Sequence, residues 1–269
     1  MNLASKLEVV NLSDTGLKRP HNEDSSITDP ANGIAIVADG MGGYKAGEVA
    51  SAIAAKAILD EVHRGLTGDG SLPKDQEYSG RAALLRDAIR RANKHIFETA
   101  QTVPQCQGMG TTVVSLLFYD NKISVAHVGD SRLYRLRDEA LEQLTNDHSL
   151  VQELVDRGFF TAEEAEANTP KNLVTRALGI EDSVDVDLHE DAARTGDVYL
   201  LCSDGLNDMV NDEEIHLTLS KYSANLEQAA HQLIELANEN GGKDNITVVL
   251  VRVKAPFPAP VGLMSRFRR

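Results

Sequence analysis

Strand-like and helix-like segments come in blocks along this chain, and that order limits its fold more than any other feature. Short apolar runs read as strands at residues 34–38, 111–119, 122–128, 133–136, 184–188, 198–202 and 246–253. Asp120-Asn121 separates the second run from the third and reads as a hairpin turn. Helical periodicity replaces strand periodicity at 46–61, where Val49, Ile53, Ala57 and Ile58 share a face. It returns at 81–99 with Leu84, Leu85, Ala88, Ile89, Ala92 and Ile96, and at 225–240, which stops at Gly241-Gly242. A shorter helix is expected at 150–157. Strict alternation would indicate a parallel sheet. The block order instead predicts an α+β fold in which antiparallel sheet packs against helices.

At 269 residues the chain fits one large domain or two small ones, and 42% apolar residues suffice for a substantial core. The net charge of -14, from 41 acidic against 27 basic residues, excludes nonspecific binding of nucleic acid, which depends on Lys and Arg. Cys106 and Cys202 lie far apart, outside any zinc-type spacing, and Cys202 falls inside an apolar run as a buried thiol. The N-terminus lacks the apolar stretch of a secretory signal, and no run is long enough to span a membrane. A cytoplasmic protein is expected. Residues 64–80 read as a peripheral loop. Residues 255–269, with three prolines and the basic end Arg266, Arg268 and Arg269, read as a disordered tail.

Four aspartates differ from the solvated acidic residues because each sits at the rim of an apolar strand. Asp39 leads into Gly40-Met41-Gly42-Gly43, Asp130 lies in Gly129-Asp130-Ser131-Arg132, Asp204 in Ser203-Asp204-Gly205, and Asp244 in Lys243-Asp244-Asn245. One such site is ordinarily a turn. Four at strand ends converge, and a hard dication such as Mg2+ or Mn2+ relieves their repulsion through oxygen ligands. No His/Cys cluster has the spacing zinc needs. Near the start, Arg19 precedes Asn22-Glu23-Asp24, and a guanidinium is suited to bidentate phosphate recognition.

Taken in order, Arg19…Asn22-Glu23-Asp24, Asp39-Gly40-Met41-Gly42-Gly43, Gly110-Thr111-Thr112, Val128-Gly129-Asp130-Ser131-Arg132, Ser203-Asp204-Gly205 and Lys243-Asp244-Asn245 resemble the protein phosphatase 2C (PPM) family, most closely its compact bacterial branch. The resemblance runs from about Glu8 to Val253. It implies a four-layer αββα sandwich of two antiparallel sheets flanked by helices, with a catalytic domain over 1–254 and a flap at about 147–171. It also implies a metal-dependent phosphoserine/phosphothreonine phosphatase holding two tightly bound Mn2+ or Mg2+ ions and a weaker third.

Residue by residue, the resemblance assigns Asp39 to bridge two metals, with the Gly40 carbonyl on the second. Asp204 and Asp244 complete the first, Glu23 and Asp24 hold metal-bound waters, and Asp130 with Asp204 matches a third metal. Arg19 would bind the substrate phosphate. The implied reaction is attack on phosphorus by a metal-bridged water, with no phosphoenzyme. Met41 departs from the His of many eukaryotic relatives, which leaves the leaving alcohol without a side-chain proton donor. Gly110, Thr111 and Thr112 read as structural. His127 is expected to pack and His148 to cap or brace. The implied partners are phosphorylated proteins and a cognate Ser/Thr kinase, with no nucleic acid, and the chain is expected to be a monomer. Two other readings are a docking module without catalysis, opposed by the retained carboxylates, and a hydrolase of small phosphates, for which no nucleotide-gripping loop exists.

Overall fold

The computed structural model describes residues 2–43, 46–68, 72–161, 164–165, 168–170 and 173–259. Asp120 and Asn121 both take left-handed conformations, φ 49° and 57°, as a two-residue hairpin between right-twisted strands requires. That turn sets the register of strands β5 (Val113–Tyr119) and β6 (Lys122–Val128), with Tyr119 opposite Lys122. Around it forms a sheet of β2 (Asp24–Asp29), β3 (Ile34–Met41), β5, β6 and β9 (Asp187–Ala192), in that order, with the short β4 (Gly110–Thr111) beside β3. The second sheet runs β1 (Leu7–Asp14), β11 (Ile246–Val253), β10 (Val198–Cys202), β7 (Arg132–Arg137) and β8 (Ala140–Gln143). Every strand pairing is antiparallel.

Period-two alternation divides each central strand between two cores. Ala35, Val37, Val114 and Leu116 face Tyr199, Leu201, Val249 and Val251 across the sandwich. Ile36, Val113 and Leu117 point outward, under helices α1 (Ala46–Thr67) and α2 (Gly80–Thr102). On the opposite side Leu200, Val248 and Leu250 pack beneath α4 (Asp204–Asn207), α5 (Asp212–Lys221) and α6 (Leu226–Glu239). The result is the expected four-layer αββα sandwich. Helix α3 (Leu150–Asp156) lies outside these layers, capped by Ser149, whose Oγ accepts from the Gln152 N–H at 3.2 Å. Among the described residues no helix is long and apolar enough to cross a membrane.

Two expectations need correction. The strand expected at 184–188 runs instead from Asp187 to Ala192, because the ladder with β6 begins at Asp187 while Val184 and Val186 pack toward the α1/α2 side. The chain past 254 does not leave the fold at once. Phe257 is fully buried, 6.0 Å edge-to-face from Phe118, and its N–H donates to Asn121 Oδ1 at 2.6 Å. The remainder of that tail, 260–269, lies outside the described residues, as do 69–71 of the loop and 162–163, 166–167 and 171 of the flap. Of the two roles expected for His148 the structure has the bracing one, since Ser149 caps α3 while His148 bonds Gly129 and Thr175.

Candidate functional site

The antiparallel pairing brings several strand ends to one end of the sandwich. Asp24 pairs with Asp39 across β2 and β3, Cys202 lies beside both Arg132 and Val248, and Asp14 pairs with Ile246. The turns beyond these positions carry Asp130, Asp204 and Asp244. All three line one cavity of about 220 Å³ together with Arg19, Glu23, Asp39, Gly40 and Met41. Asp24 stands behind Asp39. Every residue singled out in the sequence as a ligand or phosphate contact is therefore in this cluster.

Backbone contacts fix the principal carboxylate. The Asp39 N–H donates to Thr112 Oγ1 at 3.2 Å, and its carbonyl accepts from the Thr112 N–H (2.9 Å) and Thr111 Oγ1 (2.8 Å). Thr112 Oγ1 also shares a hydrogen bond of 2.7 Å with Ser131, next to Asp130. The Gly110-Thr111-Thr112 segment thus ties two ligand positions together. At Gly40 three chain segments meet so closely that a Cβ would lie 2.1 Å from the Gly47 carbonyl oxygen and 2.6 Å from that of Glu23. Only glycine fits there. Asn245 anchors the Arg19–Glu23 loop: its Oδ1 accepts from the Glu23 N–H (2.7 Å), and its Nδ2 donates to the Thr15 and His21 carbonyls.

The side chains are more acidic in number than their own hydrogen bonds satisfy. Asp24 Oδ2 accepts from Ser203 Oγ (2.7 Å) and Thr247 Oγ1 (2.6 Å), while its buried Oδ1 has no partner among the described residues. Asp204 Oδ1 is likewise buried and unpartnered. Arg19 donates to Asp244 Oδ2 at 2.5 Å, with its guanidinium half exposed at the rim. Burial raises Asp39 well above the usual carboxylate range, reinforced by repulsion from Asp24, Asp204 and Asp130. Burial also raises Asp204, with Asp130, Asp208 and Asp244 adding to it. Asp24 and Asp130 are each pushed up to about 6, in both cases mainly by burial. Glu23 is raised by burial as well.

Six carboxylates against one guanidinium, with two orphaned oxygens, fit divalent cations bound through oxygen. The all-oxygen donor set suits Mg2+ or Mn2+ and disfavours zinc. A separate group, His127, His148 and Asp187, has ligand atoms within 4.8 Å of one another. There the Arg176 guanidinium already meets Asp187 Oδ1 at 2.6 Å and supplies the cation.

Sequence reasoning passed over the supporting polar residues Ser203, Thr247 and Asn245 and left Thr112 without a role at the site. It also passed over Asp208, which lines an adjoining cavity of about 470 Å³ with Asp130 and Asp204. Its i, i+4 spacing from Asp204 was the available signal.

A family profile described as protein phosphatase 2C matches residues 20–240. The chain is 43% identical over 244 residues to the serine/threonine protein phosphatase PstP of Mycobacterium tuberculosis, covering 90% of this chain and 44% of that protein. It is 41% identical over 242 residues to the serine/threonine phosphatase stp of Listeria monocytogenes, covering 89% of this chain and 93% of that protein. It thus spans less than half of the Mycobacterium relative and nearly all of the Listeria one. The crystal structure of the catalytic domain of PstP, in complex with two manganese ions, superposes with a TM-score of 0.79 at 41% identity, covering 93% of this chain and 99% of that one.

Proposed function

The chain belongs to the protein phosphatase 2C family, and on that footing we propose that it hydrolyses phosphoserine and phosphothreonine in proteins with the help of Mn2+ or Mg2+. The observation that carries this reading is one cavity lined by Arg19, Glu23, Asp39, Asp130, Asp204 and Asp244, with a buried oxygen of Asp204 and one of the neighbouring Asp24 unpartnered among the described residues. In this reading Asp39, the Gly40 carbonyl, Asp204 and Asp244 would hold two cations. Glu23 and Asp24 would orient waters on these cations, and Asp130 with Asp204 would hold a weaker third. When bound, the cations supply a nucleophilic oxygen from water at neutral pH and offset the charge of the phosphate.

The remaining chemistry belongs to the chain's own side chains. Arg19, paired with Asp244 at the rim, would meet the phosphate oxygens, whose charge in the loose transition state a guanidinium matches. Met41 occupies the cavity wall without a proton to give, so help for the leaving alcohol falls to the Asp130 side. The catalytic unit in this reading extends past residue 254 to include the buried Phe257, and it acts as a monomer in the cytoplasm on the targets of a Ser/Thr kinase.

The test compares release of phosphate from phosphoserine and phosphothreonine peptides with release from nucleotides, using Mn2+-loaded protein. Preferential turnover of phosphopeptides is expected. Turnover confined to nucleotides would overturn the substrate class.

A further inference from the structure

His148 engages both its backbone groups and both ring nitrogens at one junction. Its N–H donates to the Gly129 carbonyl at 3.0 Å, and its own carbonyl accepts from the Thr175 N–H at 2.8 Å. Ring Nδ1 accepts from the Gly129 N–H at 3.0 Å. Nε2 lies 3.1 Å from Arg176 Nη1 and 3.4 Å from Asp187 Oδ2, and Arg176 donates to the other oxygen of that carboxylate at 2.6 Å. Asp187 is held below its ordinary range, first by the hydrogen bond from His148 and then, against burial, by Arg176. His127 stacks on the ring with centroids 4.8 Å apart, and its Nε2 bonds the Asn146 carbonyl. His148 is 7% exposed.

The two sides of this junction lead to different places. Gly129 immediately precedes Asp130 and holds φ at +107°, with Thr112 Cβ 2.5 Å from where a Cβ would stand. Gly129 therefore has no side chain with which to fix the turn, and both its amide N–H and its carbonyl are taken by His148. Thr175 and Arg176 lie at the closing root of the flap, where Ser149 bridges Val174 and the Leu150 N–H donates to the Leu173 carbonyl at 2.9 Å.

We propose that His148 is a positioning residue that couples the flap to the Gly129–Asp130 turn, with one ring nitrogen serving each side. The proposal rests on the reading of Asp130 as a ligand of the weaker cation. His148 itself touches neither cation nor substrate. It works by holding the backbone that aims Asp130 and the arginine at the flap's root.

Two substitutions separate the arms. Asparagine places an amide oxygen near the position of Nδ1 and nothing at Nε2. Glutamine places its amide near Nε2 and nothing at Nδ1. Mn2+ binding by calorimetry and steady-state kinetics on a phosphoserine peptide would be measured on the full chain. His148→Gln is expected to weaken the low-affinity Mn2+ phase about tenfold, the size seen when a support of a metal ligand is lost, with the tight phase and the peptide KM unchanged. His148→Asn is expected to leave both Mn2+ phases intact and to raise the peptide KM severalfold at unchanged kcat. Asp187→Asn, on the flap arm alone, should reproduce the asparagine pattern. Identical behaviour of the two histidine variants would overturn the proposal, as would an unchanged weak phase in His148→Gln. Should both fail to fold, Asp187→Asn decides: a raised KM with both Mn2+ phases intact supports the coupling, and loss of the weak phase refutes it. Wild-type protein with no weak Mn2+ phase would instead refute the reading of Asp130, and the proposal with it.

Discussion

Replacing Asp24 by Asn should stabilise the metal-free protein. Burial holds the Asp24 pKa near 6 in the fold, against an ordinary 3.8. That difference of about 2 units corresponds to about 3 kcal/mol of destabilisation once the group is ionised. Asn keeps an oxygen for Ser203 and Thr247 and turns an amide N–H₂ toward the Asp39 side, where Asp24 Oδ1 has no partner among the described residues. Below about pH 4 the carboxyl is protonated in both the folded and the unfolded chain, so the substitution gains nothing there. From about pH 4 to 6 the unfolded chain ionises while the fold does not, and wild-type stability falls relative to the variant. The gap is complete above about pH 6. For a chain of this size it amounts to a rise in Tm of about 4–8 °C. Calorimetric melts in chelator at about pH 4.5 and 7.5 measure it, and saturating Mn2+ should then reverse the order, because wild type gains more from the cation. A variant no more stable than wild type at the higher pH, or a gap independent of pH, would refute the reasoning.

Asp39→Asn and Asp204→Asn should nearly abolish turnover while the metal-free Tm holds or rises, because each relieves the same repulsion; a wild-type rate or wild-type stabilisation by Mn2+ would count against the ligand roles. Arg19→Ala should raise the KM for phosphopeptides about tenfold or more, the loss of one charge-assisted contact, with little change in Mn2+ affinity; an unchanged KM would remove Arg19 from the phosphate site. Asp130→Ala should reduce turnover of a phosphoserine peptide far more than that of para-nitrophenyl phosphate, whose leaving group needs no proton, and should remove only the weak Mn2+ phase. Equal losses on both substrates would show that Asp130 does not assist the leaving group.

The central strands were legible in the sequence and the edges were not. β3, β5, β6, β10 and β11 are covered on both faces, so they appear as nearly continuous apolar runs. The strands missed or displaced, β1, β2, β8 and β9, are the four outer strands of the two sheets, where one side of the ladder is open and polar residues such as those of Asp24–Asp29 blur the period. Helix α5 was passed over although Asn211 and Glu214 form a capping box. The carboxylates of the site were legible because glycines and strand ends mark them. Ser203, Thr247 and Asn245 were not, since their roles depend on which partner the folded chain sets opposite them.

Where manganese binds tests the account most directly. Anomalous diffraction at the manganese edge, from crystals of this chain grown with Mn2+, would locate each ion. Peaks enclosed by Asp39, Asp204, Asp244 and the Gly40 carbonyl are predicted, with a weaker one beside Asp130. Manganese found only at His127, His148 and Asp187, with none among the strand-end carboxylates, would contradict the account.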